Sequence, residues 1–444
     1  MIVDAYAGRH STGSPAAVAA FEQAIASVAR HQPGAAEALD AALAADPDLI
    51  AAHALRGFAA VILARSECVP AADDAYALAA AALARRPDVT SDESVLVHAL
   101  DAARRGRLRA AADRLDAHLH AEPGAFLPLK LSHSLRFMAG DLGGMLALTS
   151  RVLPAWTEDR PGAGFVLGCH AFGLEEAGEL APAERYGLRA VELEPGDAWG
   201  LHAVSHVHET QGRTREGASW LEASRPRWAA CNNFRFHLSW HLALFELEEG
   251  HVGRVLDLYD DEVRPTRTDD FRDVANAASL LWRLSQEGVD VGDRWAELAA
   301  VSRRRTRDVT LVFASLHHIL ALVGAGQRGD ALALAGEISA RERSGGDQGR
   351  VAGQVGRDLA RVILDLGDAA TIARAAAALP LIGGSHAQRD VFLRTLALAA
   401  ADRGERDAMA VVMGCRAALR REDRFCQLAH QRLARAEAAR RRVA

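Results

Sequence analysis

His202 and His206 stand four residues apart in a segment, Asp197 to Thr210, whose pattern predicts a helix. Glu209 follows three residues later, so the three side chains share one stripe, which Arg213 extends if the helix continues. About 30 residues further on, Phe236-His237-Leu238-Ser239-Trp240-His241 holds a second His pair at the same spacing, in the corresponding helix of the next hairpin. Two such pairs on neighbouring helices can converge. Neutral imidazoles with a carboxylate suit a borderline metal such as Zn or Fe, with His202, His206, His237 and His241 as ligands. The same groups can also move protons near neutral pH with no metal. The plainer alternative is a set of imidazoles hydrogen-bonded inside a packing layer.

His170, one repeat earlier in Gly168-Cys169-His170-Ala171-Phe172-Gly173-Leu174-Glu175-Glu176, occupies a position where a helical repeat would prefer Leu and is expected on the same wall. Glu175 and Glu176 read as an ordinary helix-end carboxylate pair. His133, earlier still, is either a wall residue or a core residue. A separate element is Ile382-Gly383-Gly384-Ser385-His386-Ala387-Gln388-Arg389-Asp390. Gly-Gly frees the backbone and Ser385 can cap the following helix, so amides at its positive end can hold a carboxylate or phosphate. His386, Gln388, Arg389 and Asp390 crowd that first turn with more chemistry than a cap requires. No phosphate loop, dinucleotide fingerprint, serine-hydrolase elbow or His-Glu-x2-His motif is present, so nucleotide, flavin and standard hydrolase mechanisms lack their usual signatures.

These side chains need a scaffold, and proline marks it out. Pro47, Pro87, Pro123, Pro154, Pro195, Pro226 and Pro265 recur at roughly the 34-residue period of a tetratricopeptide repeat. Around Pro195, the residues Ala171, Leu174, Ala183 and Ala190 fall at the small, large, small and small positions that let two antiparallel helices approach, and Pro stops the second helix. The ending recurs at Ala35, Ala42, Pro47 and at Ala75, Ala82, Pro87. No alternating strand pattern is visible, and Ala, Leu, Arg and Glu dominate. The expected fold is all-α: a right-handed α-solenoid of tetratricopeptide-like hairpins that can curl around a central pocket. Residues 1–300 are its repeats, and 301–444 continue them into a C-terminal cap. Helical periodicity in the latter covers Asp308 to Ala325, Gln348 to Leu364, Ala387 to Arg403 and Arg406 to Arg440, while Arg341 to Gln348 reads as a linker or mobile loop.

Composition narrows the function classes. The 444 residues carry 52 basic and 58 acidic side chains, a net charge of −6, which offers no broad footprint for nucleic acid or anionic lipid. Aromatic residues make up 5%, too few for a protein built on base stacking. Five dispersed cysteines without a Cys-x2-Cys pair indicate neither a disulfide framework nor a thiolate metal site, which fits a reducing cytoplasm. The acidic start, Met1-Ile2-Val3-Asp4, lacks the features of a secretory signal, and no apolar run is long enough to span a membrane. Lys130 is the only lysine; arginine supplies every other permanent positive side chain.

The segments His170 to Glu176, Asp197-Ala198-Trp199 with His202 to His206, Trp240 to Leu244, Ala277 to Leu284 and Gly383 to Asp390, taken in order, resemble the tetratricopeptide repeat protein 38 family. The resemblance runs from the first repeats to about residue 400. It implies an α-solenoid and leaves the biochemical role open, since that of the family is poorly defined. Cys169 and Ser134 stand where the family often has Met and Asp, which makes both poor candidates for shared chemistry.

Two functions are expected on these grounds. In the first, an inner pocket binds and transforms a small acidic molecule, in keeping with bacterial specialised metabolism. His202, His206, Glu209, His237, His241 and His170 act there as acid/base groups or ligands, Trp199 and Trp240 as walls, and Gly384, Ser385, His386, Arg389 and Asp390 orient an acidic group. In the second, a non-catalytic scaffold holds a peptide in its concave groove. The unusual residues cluster between about 165 and 245, with one remote turn, which favours a compact site. The sequence leaves the oligomeric state undetermined.

Overall fold

The computed structural model describes residues 1–443. Helices fill it, and among the described residues the only sheet is a two-stranded antiparallel pair, Ile2–Val3 with Arg9–His10. Strands of two residues are too short to show any alternation in sequence. They are joined through Asp4, whose carboxylate accepts from the amides of Tyr6 and Gly8, and are anchored by Arg9 on Asp92.

The chain divides into two compact units, residues 1–207 with 224–234, and residues 208–223 with 235–444. The boundary falls inside the helix Ala198–Gln211.

The first unit is an array of helical pairs: Pro15–Ala29 with Ala35–Ala45, Ile50–Ile62 with Val69–Arg85, Ser91–Arg104 with Leu108–Ala121, Phe126–Met138 with Leu142–Val152, and Ala163–Glu176 with Leu180–Leu193. Each helix packs on its successor, and the first helices of consecutive pairs also meet, the arrangement of a tetratricopeptide-like solenoid. Pro47, Pro87, Pro123 and Pro195 each sit two residues beyond a second helix, where a ring that cannot donate ends the array's return stroke. Ala42, Ala82, Ala171, Ala183 and Ala190 are buried where helices cross. Starts are fixed locally: Ser14 accepts from the amide of Ala17 ahead of Pro15, and Thr90 and Glu93 form a reciprocal capping box.

The second unit continues in the same manner. Phe271–Gln286 is followed by Arg294–Arg303, Val312–Gly324 by Arg328–Arg341, and His386–Asp402 by Arg406–Ala417, with Arg424–Val443 packed on His386–Asp402. Gly217 lets Thr214–Ala223 lie against the following helix, because a Cβ there would sit 2.3 Å from the ring of Phe245. Two sequence expectations are corrected here. Arg341 to Gln348 is a tight reversal through Gly345 and Gly346, both at positive φ, and the buried Gln348 accepts from the amide of Val312 at 2.8 Å. Arg406 to Arg440 is two helices, because Asp423 caps a new one by accepting from the amide of Cys426. No helix among the described residues is long and apolar enough to cross a membrane.

Candidate functional site

In the first unit, Ala163–Glu176 is apolar on nearly every face and buried almost throughout, yet it ends on two carboxylates, Glu175 and Glu176. His206, on the helix that opens the next pair, places Nδ1 3.3 Å from Glu175 Oε2, and its Nε2 lies 2.9 Å from His202 Nε2. The three side chains are almost wholly inaccessible. Two imidazole nitrogens at that distance share a proton. The Glu175 contact is of ion-pair length and is not a formed hydrogen bond to Nδ1, so either ring of the His202–His206 pair can be the donor between the two Nε2 atoms. Ligand atoms of Glu175, Glu176 and His206 also lie within 4.8 Å of one another, a donor set a divalent cation can use.

Trp199 stands beside this series. Its ring stacks on His31 and on Phe234 at 5.8 Å each, tilts against Phe172 at 4.7 Å, and meets His133 and Phe137 edge-on. His202 packs on it at 5.1 Å, and Lys130 Nζ lies 5.3 Å from its centroid. Below the ring, Asp197 accepts from the amide of Trp199 at 3.2 Å through Oδ1, while Oδ2, wholly buried, lacks a well-formed hydrogen bond. Burial drives the Asp197 carboxyl up to about 7, against the opposing charge of Lys130 and two backbone amides. Glycine makes room for it: a Cβ at Gly168 would sit 2.2 Å from Oδ2, and one at Gly200 2.5 Å. Gly168→Ala should therefore lower stability by about 1–3 kcal/mol through displacement of this carboxylate. Urea denaturation of the variant measures it.

His170 is placed differently from its neighbours on the stripe. Thr149 gives its hydroxyl proton to the carbonyls of Met145 and Leu146, so its oxygen accepts from His170 Nδ1 at 3.0 Å, and the ring meets Tyr186 edge-on. Burial depresses its proton affinity, and the ring serves packing.

In the second unit, His241 Nδ1 lies 3.1 Å from Glu209 Oε2, and Arg420 reaches Glu209 Oε1 at 3.3 Å. His237 Nδ1 donates to Asn276 Oδ1 at 2.9 Å and stacks on Trp240, whose indole N–H is satisfied by Ser279. Trp240 is thus a core side chain, with the Arg283 guanidinium over its ring. The turn at 383–390 uses part of its polar set internally and part on neighbouring helices. Ser385 and Gln388 form a capping box, Arg389 donates to the carbonyl of Gly384, and His386 Nε2 sits 3.4 Å from Thr210 Oγ1. Gly384, at φ +74°, accepts no side chain because Phe313 fills that space. Asp390 is gripped by Arg416 at 2.7 Å, with Arg420 at 3.5 Å and Arg283 at 4.0 Å. Burial opposes its charge, but these guanidiniums hold its carboxyl far below the usual range. Arg213 lies beyond the helix end, past Gly212, and pairs with Glu216.

Three participants were not among the residues expected from sequence. Glu175 looked like a helix end, and only its register one repeat before His206 signals more. Arg416 and Arg420 lie about 200 residues from Glu209, in a segment read as featureless helix. Lys130 was visible by its uniqueness, but nothing around it in sequence names Cys169 and Asp197 as neighbours.

No family model matches the chain. Among solved structures it is similar to the tetratricopeptide-repeat domain of P58(IPK), known from a crystal structure, with 12% identity over 78% of this chain and 88% of that one and a TM-score of 0.21. A score that low carries no argument, and the helical-repeat fold stands on the helix pairs themselves.

Proposed function

We propose that this helical-repeat protein binds a small acidic molecule against the Trp199 wall of its first unit and moves a proton to or from it through Glu175, His206 and His202. The observation that carries this reading is His206, held between a carboxylate at 3.3 Å and a second imidazole at 2.9 Å with all three groups buried. A protein surface that only grips a peptide has no use for a proton-sharing pair inside a helix layer. Glu175 supplies a negative charge 3.3 Å from His206 Nδ1. His241 with Glu209 forms an imidazole–carboxylate pair in the second unit and is proposed as a further acid/base element. Membership of the tetratricopeptide repeat protein 38 family and a cytoplasmic location belong to the same proposal, carried by the ordered motifs and by cysteine usage.

The test is thermal denaturation against a panel of small mono- and dicarboxylic acids at millimolar concentration. At least one should raise Tm by about 2 °C or more, and His206→Gln and Trp199→Ala should each abolish the rise. No response in the wild type, together with selection of one peptide sequence from a displayed library, returns the protein to the scaffold reading. That alternative is favoured by the repeat architecture itself, whose usual work is to hold peptides. Elemental analysis separates the two chemistries. Both ring nitrogens of His206 face partners, so the proton-sharing form predicts no stoichiometric Zn or Fe. One metal per chain, lost in His206→Ala, would replace it with the metal-assisted form.

A further inference from the structure

One lysine among 51 arginines sits where an arginine's chemistry would not serve. Lys130 is buried on Phe126–Met138, with Nζ 3.8 Å from Cys169 Sγ and 5.3 Å from the centre of the Trp199 ring. Among the described residues no carboxylate lies within ion-pair distance of it, although the chain pairs most of its buried arginines that way. Around it are buried polar atoms that lack a well-formed hydrogen bond: the Trp199 indole N–H, Asp197 Oδ2 and His133 Nε2, with the backbone at Gly200 and at Cys169 acting on the latter two groups. The groups facing the amine are the Cys169 thiol, which burial keeps protonated, the imidazole of His133 and the carboxyl of Asp197, with Glu194 further out. Native structures rarely leave so many polar atoms unsatisfied in one place unless something polar belongs among them. A guanidinium keeps its proton under all physiological conditions, whereas an amine can surrender it and become a nucleophile.

We propose that Lys130 is a covalent anchor for a small carbonyl compound, which it binds as an imine beside Trp199 and Asp197. The inference rests on the reading of the first unit as a small-molecule site and names the substrate class: an aldehyde or ketone that also carries an acidic group. The lone pair of Nζ adds to the carbonyl carbon, and the carbonyl π pair moves to oxygen. A proton passes from nitrogen to that oxygen, giving a neutral carbinolamine. The carboxylic acid of Asp197 then protonates the hydroxyl, which leaves as water while the nitrogen lone pair forms the C=N bond. One amine, one carbonyl and one carboxylic acid become one iminium, one carboxylate and one water, with no oxidant or reductant needed. His133, kept neutral by its surroundings, adds no competing charge.

The uniqueness of Lys130 makes the experiment clean. The folded full-length chain is incubated with glyoxylate, and separately with isobutyraldehyde, then reduced with cyanoborohydride and mapped by peptide mass. Any adduct at the amino terminus is resolved by the same map. The expected result is a near-stoichiometric glyoxylate adduct on the Lys130 peptide and much less with isobutyraldehyde. Asp197→Asn should slow formation at least tenfold, and Lys130→Arg should abolish it. An unmodified Lys130 in the folded wild type, or an Asp197→Asn rate equal to wild type, overturns the proposal. If Lys130 stays unmodified while a carboxylic acid still raises Tm in a His206-dependent way, only the covalent step falls. If both fail, the small-molecule reading of the first unit falls with it.

Discussion

Arg416→Met should destabilise the protein by about 3–5 kcal/mol, because it strips the principal counter-charge from two buried carboxylates. Arg416 is 1% exposed; its Nε donates to Asp390 Oδ1 at 2.7 Å and one terminal nitrogen to Asp423 Oδ1 at 2.9 Å, the other also reaching Asp423. Arg420 at 3.5 Å and Arg283 at 4.0 Å remain as weaker, longer partners of Asp390. The loss has a second part, since Asp423 caps the helix Arg424–Val443 and is held in place by the same guanidinium. Urea unfolding should show a large drop in midpoint. The double variant Arg416→Met with Asp390→Asn should recover part of the loss, a coupling that separates an uncompensated charge from simple loss of packing. The pH dependence adds a further check. Without Arg416 the Asp390 carboxyl loses its strongest lowering charge and rises from its wild-type value, while Arg420, Arg283 and Arg394 still lower it, so the variant's deficit should shrink as pH falls.

The fold was legible because its determinants repeat. In the first unit a proline two residues past each second helix and alanines buried where helices cross are local signals, and successive hairpins restate them. The break at 418–423 was missed because Arg416, Arg420 and Asp423 read as polar positions on an amphipathic helix; only the buried Asp390 they face makes that helix stop. The site was half legible for a related reason. Spacing of i, i+4 shows that His202 and His206 share a stripe, but it cannot say that Glu175, on another helix, meets the second and not the first. At 383–390 the Ser and Gln form a capping box, Arg389 donates to the Gly384 carbonyl, and the Asp serves as an ionic centre for the C-terminal helices. Density of polar residues marks a site or a structural knot equally well, and only partners distinguish them.

Stability should rise from acid pH to about pH 7 and level off above it, with the buried histidines and Asp197 acting in opposite senses. Burial drives His133 and His317 down to about 3 and His318 to about 4, and the charges of Lys130, Arg283 and Arg305 respectively act in the same direction. Their unfolded value is near 6.5. All three neutral rings therefore stabilise the fold above pH 6.5, and that stabilisation is lost as pH falls toward 4, by about 2 kcal/mol per ring at pH 5. His318→Gln, which can still meet Ser302, should reduce the acid-side slope by about 1.4 kcal/mol per pH unit, the share of one proton. Asp197 acts in the opposite sense. Its folded value of about 7 lies above the ordinary 3.8, so its contribution is complete below pH 3.8 and disappears as pH rises through 7. Between pH 6 and pH 8 this amounts to about 1–2 kcal/mol. Asp197→Asn should steepen the loss of stability below pH 7 by about 1.4 kcal/mol per pH unit. An unchanged slope would mean that Asp197 is ionised at neutral pH in the fold. It would then have no proton to give, and the dehydration step assigned to it at Lys130 would need another donor.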